Sequence, residues 1–123
     1  MAYNVEVNFM VTCTDANGDA VFSDQAVDST SLGNYIKLDV PLALSASNVA
    51  VSGLIDLTSK DYLVIIPATN ISIELATGGT AIEIPAGFPF IIKSYSVEFT
   101  DVLLTNPMAT ATTVKIIAGT FAV

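Results

Sequence analysis

The stretch "YNVEVNFMVTCTDANGDAVF", residues 3–22, decides the fold. Over residues 3–13 apolar side chains alternate with largely polar ones. Because successive side chains of a β-strand point to opposite faces, this period of two predicts a long half-buried strand. The dipeptide Asn17-Gly18 that follows favours a two-residue type I′ hairpin turn. Such a turn places Cys13 opposite Phe22 on the apolar face, so the sequence predicts a β-hairpin.

Strand patterns recur along the rest of the chain. Residues 24–33, rich in Asp, Ser and Thr, are interpreted as a loop. The run Tyr62–Ile66 lacks alternation, which is typical of a strand covered on both faces, and Pro67 ends it. A turn is predicted at Asn106-Pro107. Further strands are predicted over residues 35–42, 49–57, 91–100 and 112–123.

These patterns predict an all-β fold. Turn signals recur about every ten residues and no stretch has a convincing helical stripe, which is typical of a sandwich. The length of 123 residues fits one domain. We therefore expect a single domain over residues 1–123, built as an antiparallel β-sandwich of jelly-roll or Greek-key type with about eight to ten short strands.

A second hairpin is predicted at "NISIELATGGTAIEIP", residues 70–85, with Gly78-Gly79 as its turn. This register pairs Ile73 with Ile84 and places Glu74 opposite Glu83, where like charges repel. One interpretation is that water solvates both carboxylates. The other is that a cation, or Lys93 or Lys115 of a neighbouring subunit, bridges them. Glu74 and Glu83 are therefore only weak candidates for a metal site.

The chain has few charged residues, and most of them are acidic. Twelve acidic residues face four lysines, with no histidine, and the net charge is −8. Phosphate binding depends on Lys and Arg, so nucleic acid and anionic membrane surfaces are not expected partners. Charged residues are 13% of the chain and apolar residues 52%. This balance favours a surface that is largely covered in the working state; the alternative is a stable β domain with a surface of Ser, Thr and Asn.

No segment predicts export or membrane insertion. The first basic residue is Lys37, so no positively charged region precedes an apolar run. The longest uncharged stretch, residues 40–55, is interrupted by Ser and Asn, whereas a spanning helix needs about 18 or more mostly apolar residues. The single cysteine, Cys13, allows no intrachain disulfide and suits assembly in a reducing compartment.

Catalytic chemistry is not expected. Without histidine, Ser-His-Asp and Cys-His arrangements are excluded. Cys13 lies on the apolar side of the first strand and is interpreted as a buried structural thiol. "DANGD", residues 15–19, looks like the start of a calcium loop, but Ala26 stands where that loop needs a bidentate Glu, so a hairpin turn is favoured. We expect no enzyme activity and no cofactor.

The last strand has two apolar faces. Val114, Ile116 and Ala118 lie on one face, and Lys115, Ile117 and Phe121 lie on the other. We expect the second sheet of the sandwich to cover the first face and a neighbouring subunit to cover the other. The predicted interface residues are Lys93, Lys115, Ile117 and Phe121.

The segment "IEIPAGFPFIIKSYSVEFTDVLLTNPMATATTVKIIAG", residues 82–119, resembles small jelly-roll structural proteins of tailed-bacteriophage virions. The likeness lies in the Pro-Ala-Gly turn before a long strand, the strand ending in Thr-Asn and the Thr- and Val-rich last strand. It implies a capsid cement or decoration protein in the virion, assembled in the host cytoplasm. It also implies a homotrimer seated on the major capsid protein.

Two other functions stay open at the level of sequence. A carbohydrate-binding β-sandwich would use tyrosines such as Tyr35 and carboxylates around calcium. A tail or baseplate component would share the structural character of a capsid protein.

Overall fold

The computed structural model describes residues 2–57, 60–75, 79–93 and 102–122 and contains nine strands in those ranges. The strands are β1 (Tyr3–Thr14), β2 (Ala20–Leu42), β3 (Val49–Ala50), β4 (Tyr62–Pro67), β5 (Ile71–Glu74), β6 (Ile82–Ile84), β7 (Phe90–Lys93), β8 (Leu103–Thr105) and β9 (Thr112–Phe121). The helical content of these ranges is a single 3₁₀ turn at Val51–Gly53. The all-β prediction is confirmed.

The strands form two antiparallel sheets. The larger sheet has the order β1-β2-β9-β4-β7, and the smaller has the order β3-β8-β5-β6. Strand β2 pairs with β9, β3 with β8, β4 with β7 and β5 with β6. These nested pairs are those of a long hairpin wrapped into two packed sheets, which is the jelly-roll arrangement. Strand β1 is an addition at the edge of the larger sheet.

The main core fills the space between the sheets. It draws on alternate residues of β9, including Val114 and Ile116, and on Ile71 and Ile73 from β5 of the opposite sheet. These side chains are essentially inaccessible to solvent. The burial follows from the period-two pattern, because inward-facing residues of both sheets meet at the centre of a sandwich.

Strand β4 is buried on both faces, as its uniformly apolar sequence predicts. Leu63 and Ile65 face the main core. Tyr62 and Val64 face the other way and join Leu32 in a second buried cluster. This second cluster lies on what we call the outer face, the side of the larger sheet turned away from the smaller sheet.

The β1–β2 hairpin curls over the outer face. Val5 of β1 packs on the second cluster, and Phe9 packs against Phe88, which precedes β7, with ring centroids 6.0 Å apart. In the sheet order β9 and β4 lie between β2 and β7. Contact between the hairpin and the β7 edge therefore requires strong curvature of the larger sheet.

The prediction of a loop over residues 24–33 is wrong. Those residues continue β2, which runs unbroken for 23 residues and pairs with β1 from Ala20 to Leu32. Ser, Thr and Asp occur here because much of this strand is exposed rather than because the chain turns. Gly33 marks a register shift where β2 leaves β1 and begins to pair with β9.

The hairpin turn has the predicted place but a different form. Cys13 pairs with Phe22 as predicted, and the register then shifts before Thr14 pairs with Ala20. The Gly18 amide donates to the Asp15 carbonyl at 3.0 Å, and Gly18 has a φ of +85°. This is the three-residue loop with a left-handed glycine rather than the two-residue turn.

Two further predictions concern the end of the sandwich. Residues 49–57 do not form one strand. β3 covers only its first two residues, and the chain then turns, with the Leu54 and Ile55 amides donating to the Val51 carbonyl. The turn at Asn106-Pro107 is confirmed: the buried Asn106 side chain donates to the carbonyls of Ala43 and Thr110 at 3.0 and 2.9 Å.

Candidate functional site

The outstanding surface feature is the distal hairpin, defined as residues 10–27. Its side chains are exposed on both faces, and it carries large apolar groups in that position. Met10 is 68% exposed, Val21 64% and Val11 57%. A two-stranded ribbon is only marginally stable alone in water, so burial of these apolar side chains against another molecule would stabilise it.

The register divides the distal hairpin into two faces. Cys13 lies directly opposite Phe22 and Val11 opposite Asp24, so these four side chains share one face. The other face is more polar and includes a 3.2 Å hydrogen bond between the hydroxyls of Thr12 and Ser23. The prediction that Cys13 is buried is wrong, because the strand runs beyond the sandwich that would cover it.

All the charged residues of the β1–β2 hairpin are acidic over residues 2–31. Between residues 2 and 31 the chain has Glu6, Asp15, Asp19, Asp24 and Asp28 and no basic residue. Asp15 holds the turn, since its carboxylate accepts hydrogen bonds of 2.9 and 3.0 Å from the amides of Asn17 and Asp19. The other acids give the hairpin a charge that favours a basic partner.

A polar contact ties the base of the hairpin to the larger sheet. We call it the Asp28 cluster: Asp28 and Thr30 on β2, Tyr62 on β4 and Lys93 on β7. The Asp28 carboxylate accepts hydrogen bonds of 3.2 Å from the hydroxyls of Tyr62 and Thr30. The Lys93 Nζ lies 2.5 Å from the same carboxylate and 5.8 Å from the centre of the Tyr62 ring.

The Asp28 cluster shifts two pKa values. Partial burial tends to raise the pKa of Asp28, but hydrogen bonds from Lys93, Thr30 and Tyr62 and the Lys93 charge outweigh it, so the pKa falls below 3.8. Burial, the charge of Asp28 and the hydrogen bond to Asp28 raise the pKa of Tyr62 to about 12. The cluster is therefore an ionised carboxylate bound by a neutral phenol and a cation. Such a contact suits a structural role, in which it holds β2 against β4 and β7.

The predicted interface residues all lie on the larger sheet. Lys93 belongs to the Asp28 cluster, and Lys115 is exposed on β9, opposite Ile66 of β4. Ile117 and Phe121 are half-buried and pack on the second cluster. The outer face that was assigned to a neighbouring subunit is thus covered in part by the chain's own hairpin.

The predicted pairing of Glu74 with Glu83 is wrong. The structure pairs Ile73 with Ile82 and Ser72 with Glu83, a slip of two residues that keeps the same side chains inward. Part of the Gly78-Gly79 turn lies outside the described residues, as does the predicted strand beyond Lys93. Within the described ranges no group of three Asp, Glu, Cys or His side chains could hold a metal ion.

Sequence reasoning missed both the length of the hairpin and the Asp28 cluster. The first had a usable signal: a twelve-residue β1 needs a partner of about the same length after the turn. The second had none, because Asp28 and Tyr62 lie 34 positions apart and meet only through the curvature of the sheet.

No protein-family model matches the chain, and no curated protein matches it. Across the part of the chain that the structure describes, no helix is long and apolar enough to cross a membrane.

Proposed function

We propose that the chain is a structural virion protein: a capsid cement or decoration subunit that forms a homo-oligomer, in our reading a trimer, and binds the major capsid protein. The observation that carries the proposal is the distal hairpin, an exposed apolar ribbon fastened to a jelly-roll sandwich. Such a ribbon is of use to a protein whose task is contact with other subunits.

Three further features support the proposal. Jelly rolls are a recurrent architecture of viral capsid domains, although the fold is shared with lectins and does not define a function. Charged residues make up only 13% of the chain, which suits a molecule whose surface is covered in the working state. The resemblance of residues 82–119 to small virion proteins points the same way.

Cosedimentation with capsid shells tests the proposal. Purified protein is mixed with shells assembled from the major capsid protein encoded in the same genome, and bound protein is quantified after centrifugation. We expect saturable binding at a fixed ratio to the shell subunits and a rise in the temperature at which the shells disrupt. Protein that stays in the supernatant at every concentration overturns the proposal. Isolated tails in a parallel tube distinguish a tail component from a capsid component.

A further inference from the structure

The outer face carries a pocket near the start of β9. It has a volume of about 250 Å³ and is lined by Ile66, Pro67, Ala68, Gly87, Thr113 and Lys115. Apart from Thr113 and Lys115 the lining residues are apolar or glycine. Lys115 makes no salt bridge with any described residue, although Asp39 is its cross-strand neighbour. The pocket is therefore an apolar recess with a cation at its rim.

The tip of the hairpin has the complementary chemistry. Phe22 is 47% exposed, and Asp24 lies two residues along the same strand face. This spacing sets an aromatic ring and a carboxylate about 6.6 Å apart along the strand. An apolar group with an acid beside it is what an apolar recess with a lysine at its rim would accept.

The tip does not fill the pocket of its own chain. Phe9 packs against Phe88, the neighbour of the pocket residue Gly87. From Phe9 the strand continues four residues to Cys13, which carries the tip about 13 Å further along β1. The exposure of residues 10–27 agrees with a tip that projects beyond its own sandwich.

We propose that the tip of the β1–β2 hairpin of one copy docks into this pocket of a second copy, with Phe22 in the recess and Asp24 beside Lys115. The inference rests on the proposed function, because it names the contact that would build the homo-oligomer. Charge favours a second copy as the occupant. Residues 2–31 hold five acids and no base, and all four lysines of the chain lie between residues 37 and 115.

The register places three of these lysines on the outer face, and of these Lys93 is already paired with Asp28 of its own chain. Lys37 lies opposite Ile117, Lys93 opposite Tyr62, and Lys115 opposite Ile66. A hairpin that reaches the outer face of the next copy makes a head-to-tail contact, in which each subunit uses two different surfaces. A head-to-tail contact builds a closed ring when its rotation is a whole fraction of a turn, and a trimer corresponds to a rotation of one third.

Sedimentation velocity of the full chain tests the contact through charge exchange. The variants are Asp24→Lys, Lys115→Asp and the double variant that carries both changes, with Phe22→Asp to remove the aromatic anchor. We expect each single change to weaken self-association at least about tenfold, because it replaces an attraction by a repulsion. The double variant should recover the mass of the wild type, since the pair is restored with its signs exchanged.

Matched controls make the same charge changes elsewhere. Glu83→Lys lies on the smaller sheet and Lys60→Asp precedes β4, and neither should alter the mass. Far-ultraviolet circular dichroism confirms that each variant is folded. A wild type that is monomeric at every concentration, or a double variant no better than the single ones, overturns the inference. An oligomer that every variant retains also overturns it while leaving the proposed function standing, since that function is decided by binding to shells.

Discussion

The hydroxyl of Tyr62 donates a 3.2 Å hydrogen bond to the carboxylate of Asp28, across 34 positions of sequence. Tyr62 lies at the start of β4 in the larger sheet, and its ring is fully buried in the second cluster. Asp28 lies where the base of the hairpin meets that sheet. This polar contact, together with the packing of Val5 and Phe9, therefore fixes the base of a long exposed ribbon against the sheet.

Removal of the Tyr62 hydroxyl should loosen the hairpin. In Tyr62→Phe the ring stays in the second cluster while Asp28 loses one donor, at a cost of about 1 kcal/mol. We expect faster hydrogen exchange in residues 3–31, measured by mass spectrometry, with little change in β5 and β6. Tyr3→Phe is the control, because the Tyr3 ring packs edge-to-face on Tyr35 at the surface. Equal exchange in both variants would contradict this role of Tyr62.

Acid should release the same contact. The folded pKa of Asp28 lies below its ordinary value of 3.8, so its contribution to stability is complete above that value and is lost as the pH falls through the folded pKa. Thermal unfolding of the wild type and of Asp28→Asn isolates this contribution, because the other carboxylates titrate in both proteins. We expect the wild type to be more stable at about pH 6 and the difference to shrink as the pH falls below 3.8. A difference that is constant with pH would disprove the assignment.

High pH should weaken the same contact by deprotonating Tyr62. The pKa of Tyr62 is raised from 10.0 to about 12, so the folded state holds the phenolic proton more tightly than the unfolded chain. This contribution to stability is complete below pH 10.0 and is lost as the pH rises through about 12. The difference in phenolate absorbance between the wild type and Tyr62→Phe reports this group alone. A midpoint near pH 12 is expected, and a midpoint near pH 10 would show that Tyr62 is neither buried nor held by Asp28 as the structure has it.

Much of the fold follows from local pattern. Alternation in β1 and the uniform apolar run of β4 predict strands that the structure contains, and the turn at Asn106-Pro107 is where the sequence places it. The predicted loop over residues 24–33 is a strand in the structure, because Ser, Thr and Asp are common in loops and also in strands that are exposed to water on both faces. The composition of a segment does not distinguish these cases, whereas the length of its partner strand does.

The site is less accessible to sequence reasoning. Period two assigns Cys13 and Phe22 to one face but says nothing of what covers that face, so Cys13 was expected inside and lies outside. Likewise the Glu74–Glu83 pairing assumed the shortest turn, and a slip of two residues leaves the apolar pattern intact. The register of a strand pair and the burial of its faces both depend on the rest of the fold.

Ile117 should matter to folding and not only to assembly. It is half-buried against the second cluster of Leu32, Tyr62 and Val64. A carboxylate there would be partly removed from water among apolar side chains, and Lys37 opposite it on β2 is exposed and offsets only part of that cost, so Ile117→Asp should lower the free energy of unfolding in urea by about 2–3 kcal/mol. Lys115→Asp, two residues earlier on the same face but exposed, should lower it by less than about 1 kcal/mol, the cost of placing a second acid opposite Asp39. Equal stability of the two variants would mean that the hairpin does not cover Ile117 in solution.

Gly119 is expected to tolerate no side chain. It lies buried in β9, opposite Tyr35 of β2 and Tyr62 of β4. A Cβ at this position would be 2.5 Å from the Asn34 carbonyl oxygen and 2.8 Å from a methyl group of Leu32. Backbone must then move where β2 bends into the hairpin, so Gly119→Ala should lower the free energy of unfolding by about 1–3 kcal/mol.

The matched control for this variant is Gly53→Ala, because a Cβ on Gly53 meets no atom within 4 Å. Urea denaturation of both proteins gives the comparison, and hydrogen exchange in residues 3–31 shows whether the bend has moved. We expect Gly119→Ala to be less stable. We also expect faster hydrogen exchange in its hairpin, because Asn34 lies on β2, and a shift of its backbone also shifts the part of β2 that forms the hairpin. Two variants of equal stability would show that β2 does not approach β9 as closely as this packing requires.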